Sequence, residues 1–332
     1  MSIKILDCTL RDGGHVNQWN FGIDVSKNIF TNLAKSKIDY IEAGYLKDCD
    51  YNINQTLFNK ITDINNVVKE PYDAEILAMI VFGQFNPEKI IPKTDNIKLD
   101  GIRVIIKKHD IKTMDDVLTK IKNCGYKLFI NPSNIASYSE EELLNLIKKI
   151  NKIRPYCFTI VDTIGVLKEN DIESLYKILD ENLRKDIVLD FHAHNNLKLA
   201  FANAQAIMKI NSSRELIIDS TIYGMGRGAG NLGTELLIPY INKHYSKDYE
   251  LKHILNVIDS EINKIYEETP WGYSIPYYLS AINHAHPNYA KYMVELQTLS
   301  YEQMENIFKQ IPEKSRAEFH KEIISLLCKC YL

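Results

Sequence analysis

The sequence predicts an α/β protein, a (β/α)8 TIM barrel followed by a C-terminal helical extension. Three observations lead there. Short apolar runs rich in strand-forming residues recur eight times in the first two thirds of the chain, at intervals of roughly 30 residues, the length of a βα unit. Several are near-continuous, such as Ile76-Leu77-Ala78-Met79-Ile80-Val81-Phe82, which reads as a strand buried on both faces of a parallel sheet. Helical patterns fill the gaps between the runs. An open doubly wound sheet is the second candidate. That fold favours a glycine-rich dinucleotide loop after its first strand, whereas this chain continues Arg11-Asp12-Gly13-Gly14-His15.

The strands are expected at residues 4–10, 38–43, 75–82, 101–106, 126–131, 157–162, 187–192 and 215–220. A helix is expected over 139–153, where Ser139 and Glu142 form a capping box and acidic residues fill the first turn. Residues 171–183 repeat that design. Past residue 245 the strand rhythm stops, 252–268 and 301–328 look helical, and 271–292 is rich in aromatics. The chain therefore divides into a barrel, 1–245, and a helical extension, 246–332.

Composition narrows the function. At 332 residues the chain has ample core, and 45% hydrophobic with 25% charged residues describes a globular protein rather than a disordered or fibrous one. Lysine and arginine number 40 against 43 acids, a net charge of −3, so no basic excess exists to neutralise nucleic acid. The six cysteines, Cys8, Cys49, Cys124, Cys157, Cys328 and Cys330, are too scattered for a disulfide framework and hold no Cys-x-x-Cys pair. Cys328 and Cys330 read as the end of a surface helix. No apolar stretch reaches the ~20 residues that span a bilayer, and the N-terminus lacks a signal-peptide pattern. A reduced, cytoplasmic location is expected, with neither membrane nor nucleic acid as partner.

In such a barrel, chemistry gathers at the C-terminal ends of the strands. There the sequence places Arg11, Asp12 and His15 after the first strand, Glu42 at the end of the second, Thr163 after the sixth, and His192 and His194 at the seventh. Two histidines two apart on a strand face one side, a bidentate grip for a metal. Asp12 supplies a carboxylate oxygen and Asn231 can add a carbonyl oxygen. Mixed nitrogen and oxygen ligands suit Mn²⁺, Mg²⁺, Co²⁺, Fe²⁺ and Zn²⁺, and ligand type does not choose among them; Mn²⁺ is the metal expected. A non-haem iron oxygenase triad shares two histidines and a carboxylate, but nothing else in the chain argues for O₂ chemistry. In a β-like strand end Arg11 and Asp12 point to different sides. Arg11 then suits an electrostatic clamp for a developing oxyanion, with Glu42 orienting it. The glycine-rich segment 224–233 reads as a tight turn delivering Asn231 rather than as a phosphate nest, because no Gly-Lys-Ser/Thr follows.

Taken together, LDCTLRDGG, IEAG, VDTIG, HAHNNLKLAFANAQA and GMGRGAGNLGTELL resemble the DRE-TIM metallolyase superfamily, in order from residue 5 to about 236. The superfamily includes 3-hydroxy-3-methylglutaryl-CoA lyase, the isopropylmalate and homocitrate synthases, and 4-hydroxy-2-oxovalerate aldolase. The resemblance implies a divalent metal on Asp12, His192, His194 and, in some members, Asn231. It implies enolate stabilisation by Arg11, support from Glu42, and a substrate carboxylate held near Thr163. His15 in Arg-Asp-Gly-x-His resembles the acid/base histidine of the aldolases. Trp271-Gly272-Tyr273 with Tyr277 is similar to their C-terminal segment, which lends a tyrosine to the site. Three positions depart from the aldolase pattern: Gly14, Asn195, and the loop Tyr45–Asp50 that should face the aldehyde.

The function expected from this resemblance is a class II aldolase. It would cleave or form a 4-hydroxy-2-oxo acid through pyruvate enolate, with Arg11, His15, Glu42 and Tyr277 catalytic and Thr163 and Tyr273 binding substrate. Its partners would be pyruvate and an aldehyde. A homo-oligomer and a channelling aldehyde dehydrogenase stay open. The alternatives are acyl-CoA Claisen chemistry within the same superfamily and an inactive scaffold barrel.

Overall fold

The computed structural model describes residues 2–70 and 72–331, so the two outermost positions of the predicted division, 1 and 332, lie outside the described residues. Eight parallel strands close into a barrel. They are β1 (Ile3–Asp7), β2 (Tyr40–Leu46), β3 (Glu75–Val81), β4 (Gly101–Ile106), β5 (Lys127–Pro132), β6 (Cys157–Asp162), β7 (Val188–Ala193) and β8 (Leu216–Ser220). Each pairs with its neighbour in sequence, β8 pairs with β1, and β1 pairs with β2 to shut the ring. All eight expected strands are present.

Most boundaries fall within two residues of the expected ones, and two strand ends differ by three, for physical reasons. The first strand stops at Asp7, because the Cys8 carbonyl accepts the N–H groups of both Arg11 (3.0 Å) and Asp12 (2.7 Å), winding Thr9–Gly13 into a wide helical turn. The second strand runs on to Leu46. A two-residue strand, Leu57–Phe58, folds back and pairs with Tyr45 and Leu46, extending it.

The helical crossovers are also fewer than the rhythm suggests. α-Helices follow β1 (Ile23–Lys35), β4 (Asp115–Asn123), β5 (Glu140–Ile153), β6 (Glu169–Asn182), β7 (Ala200–Lys209) and β8 (Thr234–Tyr245). After β2 and β3 the chain instead makes 3-10 turns, Ile61–Asn66 and Pro87–Lys89. Asparagines and prolines crowd these stretches and favour turns over helix. The capping box at Ser139 is present as expected, with Ser139 Oγ accepting from the Glu142 N–H at 3.2 Å.

Strand parity sorts the side chains into layers. Ile102, Val104 and Ile106 point outward and join the large core between strands and helices. Leu6, Tyr40, Leu77, Phe129, Cys157, Val188 and Ile217 point inward and plug the lower barrel. Two residues further along the same faces come Glu42, Arg103, Asp190 and Asp219, all fully or almost fully buried. A polar layer thus rests on an apolar plug, directly beneath the rim.

Beyond the barrel, Leu251–Val257, Ile258–Ile262 and Asn263–Glu268 run on as one helix with a π-type bulge. Its apolar face joins the barrel core through Ile254, Val257 and Ile262. The helices Ile275–Ile282, Pro287–Leu296, Tyr301–Gln310 and Lys321–Lys329 build a second core of their own around Tyr289, Met293, Ile307 and Phe308. Cys328 belongs to that core and is buried, while Cys330 is exposed, so only the latter sits on a surface helix end. None of the described helices is long and apolar enough to cross a membrane.

Candidate active site

The rim residues converge on a cavity of about 110 Å³ at the C-terminal end of the strands. Arg11, Asp12, His15, Thr163, His192 and His194 line it, joined by Tyr45, Asn131, Ser133, Arg227 and His286.

His192 and His194 lie on one side of β7's end, their ring centres 4.9 Å apart. Each ring is turned by a bond at Nδ1. His192 Nδ1 meets Asp219 Oδ2 at 2.8 Å, and His194 Nδ1 meets the Asp162 carbonyl at 2.9 Å. These partners accept, so each Nδ1 carries the proton and each Nε2 keeps its lone pair, the arrangement of metal-ligating histidines. One ligand atom from each of Asp12, His192 and His194 falls within 4.8 Å of the other two. His194 Nε2 and Asn231 Oδ1 are buried without hydrogen-bond partners, a costly condition that a cation relieves. Asn231 Nδ2 donates to Asp12 Oδ2 at 2.6 Å and to the Met225 carbonyl at 3.1 Å, so the glycine-rich turn does deliver this residue to Asp12. The four residues fit a divalent cation in donor type and in unspent lone pairs.

Arg11 touches Asp12 directly, because both leave a helical turn rather than a strand. The expectation that they face different sides fails for that reason. Arg11 Nε also donates to Glu42 Oε2 at 2.6 Å. Burial opposes the charge on Arg11 and on Asp12, yet Glu42 and Asp12 hold Arg11 protonated, and Arg11 keeps Asp12 well below the usual carboxylate range.

Beneath them lies a residue the sequence reading passed over. Arg103 is fully buried. Its Nη1 donates to Glu42 Oε2 (3.2 Å), and its Nη2 donates to Asp190 Oδ2 (2.8 Å) and Asp219 Oδ2 (2.6 Å). One guanidinium therefore supports both the carboxylate behind Arg11 and the carboxylate behind His192. Burial and the neighbouring Asp219 push Asp190 up and keep its proton, while Arg103 and His192 overcome burial to hold Asp219 ionised. The signal was a lone arginine at an inward position of an apolar strand, Gly-Ile-Arg-Val-Ile-Ile.

His15 lines the cavity with Nε2 3.9 Å from Asp12 Oδ1. Burial, seconded by Arg227, pushes it down to about 3. Trp19 and Tyr45 pack edge-on against it at 4.7 and 6.4 Å. Trp19 also accounts for Gly14: a Cβ there would sit 2.1 Å from the indole. Thr163 Oγ accepts the Asn134 N–H at 2.6 Å and keeps its own proton free to donate into the cavity. From the unmatched loop 45–50, only Tyr45 lines the cavity, and Asn195 faces the neighbouring groove instead.

The two tyrosines part company. Tyr273 is 43% exposed, stacks under Lys198, and lines the neighbouring groove with Gly224, Ala229 and Trp271 rather than the cavity. Tyr277 lies across Gly228, where a Cβ would meet its ring at 2.5 Å, and shares a side pocket with His15 and Arg227. His286 and Arg227 were not singled out by sequence. His286 arrives from the C-terminal helices with no motif around it, and Arg227 looks like one more loop residue.

The fold and this rim define a (β/α)8 barrel with a His/Asp group at its rim that could hold a metal ion. The HMGL-like family model matches residues 2–260, and the chain belongs to that family, a group of lyases within the DRE-TIM metallolyases. Among curated proteins it is 22% identical over 269 residues to 4-hydroxy-2-oxovalerate aldolase of Bacillus cereus, covering 78% of this chain and 76% of that one. Among solved structures it superposes on the N-terminal domain of a provisionally named aldolase from Bacteroides vulgatus, with TM-score 0.76, 28% identity, and coverage of 90% and 98%. HMG-CoA lyase of Brucella melitensis shares the fold at 13% identity and TM-score 0.63, covering 77% of this chain and 96% of its own.

Proposed function

We propose that the protein is a divalent-metal-dependent aldolase, with Mn²⁺ as its metal, acting on a 4-hydroxy-2-oxo acid to give pyruvate and an aldehyde. The observation that carries the reading is the trio Asp12, His192 and His194, with both histidines fixed at Nδ1 and Arg11 and His15 on the same cavity wall.

Asp12, His192, His194 and Asn231 would hold the cation, which when bound supplies Lewis-acid polarisation of the 2-oxo group. Thr163 donates its hydroxyl proton to the substrate carboxylate. His15 takes the proton of the 4-hydroxyl, with Tyr277 beside it in the side pocket. The C3–C4 bond then breaks, its electron pair moves onto C3 and the 2-oxygen, and the aldehyde departs. Arg11 faces the negative oxygen that results, held in place by Glu42. A proton returned to C3 completes pyruvate, so the cleavage is balanced without a redox partner.

The test is deuterium exchange at the pyruvate methyl group, followed by NMR in D₂O with Mn²⁺-loaded protein. Exchange that disappears in Asp12→Ala is the expected result. Protein that binds metal yet leaves the methyl signal intact would overturn the reading, and release of free thiol from an acyl-CoA would replace it with Claisen chemistry.

A further inference from the structure

The catalytic cavity opens into a second chamber of about 320 Å³, and the two share Ser133, Arg227 and His286 as walls. The chamber is basic. Lys107, Lys108 and Arg227 line it against a single acid, Glu318. The two lysines are partly answered: Lys107 reaches Glu318 at 3.5 Å and Lys108 reaches Glu142 at 2.7 Å. Arg227 is not. It forms no ion pair among the described residues, its Nε is buried without a partner, and its Nη1 reaches only the Asn288 side-chain oxygen at 3.3 Å. A half-buried guanidinium left this way is costly, and an anion that docks on it recovers the cost. His286 adds a donor. Its Nδ1 accepts the Asn288 N–H at 3.2 Å, so the neutral ring carries its proton on Nε2. Burial depresses His286, and the charge of Arg227 lowers it further.

We propose that Arg227, with His286 and Lys107, forms an anion subsite for the far end of the substrate, so that the aldehyde partner bears a terminal phosphate ester or carboxylate. This rests on the aldolase reading and deepens it. On that reading Thr163 and the cation site take the carboxylate end of the oxo acid, which leaves the chamber beyond Ser133, Arg227 and His286 for the aldehyde. A small neutral aldehyde would leave Arg227 unanswered.

The experiment compares kcat/KM for pyruvate addition to glyceraldehyde 3-phosphate, succinic semialdehyde, glyceraldehyde and butyraldehyde, in the metal-loaded protein and in Arg227→Gln. A charged aldehyde should be preferred at least tenfold over its neutral counterpart, and Arg227→Gln should bring that preference close to unity. Lys107→Gln, at an exposed position, should reduce it less. Which charged aldehyde leads separates phosphate from carboxylate. Equal use of charged and neutral aldehydes, or a preference that survives Arg227→Gln, overturns the subsite. If methyl exchange and turnover are both absent, the aldolase reading falls by itself. The subsite is then judged by calorimetric titration of inorganic phosphate: binding lost in Arg227→Gln upholds it, and binding absent or equal in both proteins overturns it.

Discussion

The barrel and the C-terminal bundle are built on opposite terms. The barrel buries Asp7, Arg11, Asp12, Glu42, Arg103, Asp162, Asp190 and Asp219 along with two histidines. From residue 275 onward the only buried polar side chains among the described residues are Ser280 and Ser315. The rest of the bundle core is aromatic and aliphatic. Buried charges cost desolvation and return geometry, whereas apolar packing returns stability with little chemistry. The molecule keeps these two tasks in separate layers. Into the rim cavity and its side pocket the bundle sends His286 and Tyr277, and it meets the barrel elsewhere through Ala281 against Ile164 and Val166.

Four experiments break or sharpen that contrast. The largest effect belongs to the barrel: Asp12→Ala or His192→Ala should abolish retention of Mn²⁺, read by metal analysis after gel filtration, and methyl exchange with it. Retention of metal by either variant would undo the ligand assignment. Next is Phe308→Ala, which empties the centre of the bundle and should cost about 3–5 kcal/mol in urea unfolding of that layer. Metal retention should persist, and its loss would show the two layers to be one cooperative unit. Arg11→Ala should keep metal and lose about 10²–10³-fold in turnover, the scale for one oxyanion-stabilising group. Unchanged turnover would remove Arg11 from the mechanism.

The smallest effect is a pH dependence confined to the barrel. Burial raises Asp7 to about 6, even though its carboxylate accepts from the Thr9 N–H and the Thr234 hydroxyl. The folded state therefore holds this proton more tightly than the unfolded chain, whose Asp titrates near 3.8. Its contribution to stability is full below pH 4 and is lost as pH rises through about 6, on the order of 1–3 kcal/mol in all. Asp7→Asn should flatten the slope of urea stability across that window. A slope of equal size in the variant would assign it elsewhere.

Much of the barrel was legible because parallel strands bury both faces and so write continuous apolar runs at a fixed interval. His192 and His194 were legible on one side by strand parity, and the rim rule drew Asp12 to them although it leaves a helical turn rather than a strand. What escaped was set by longer-range contacts. The turn Thr9–Gly13 depends on one carbonyl taking two N–H groups, which periodicity does not encode. The missing helices after β2 and β3 follow from local asparagine and proline content, a signal outweighed by the regular rhythm around it. Arg103 carried a readable sign, its inward parity, but its meaning needed Glu42, Asp190 and Asp219 from three other strands. His286 had no sign at all, since its place depends on how a four-helix layer lands on the rim.

The shared guanidinium of Arg103 has a consequence for how this enzyme can change. Glu42 and Asp219 answer to the same side chain, so the proposed oxyanion clamp and the proposed metal grip are not independent parts. A drift at either carboxylate shifts the charge balance at the other, and a double-mutant cycle on Glu42→Gln and Asp219→Asn should be strongly non-additive. Selection on such a centre acts on the pair. The chamber around Arg227 shares no hydrogen bond with Arg103, so a change there leaves this charge balance in place.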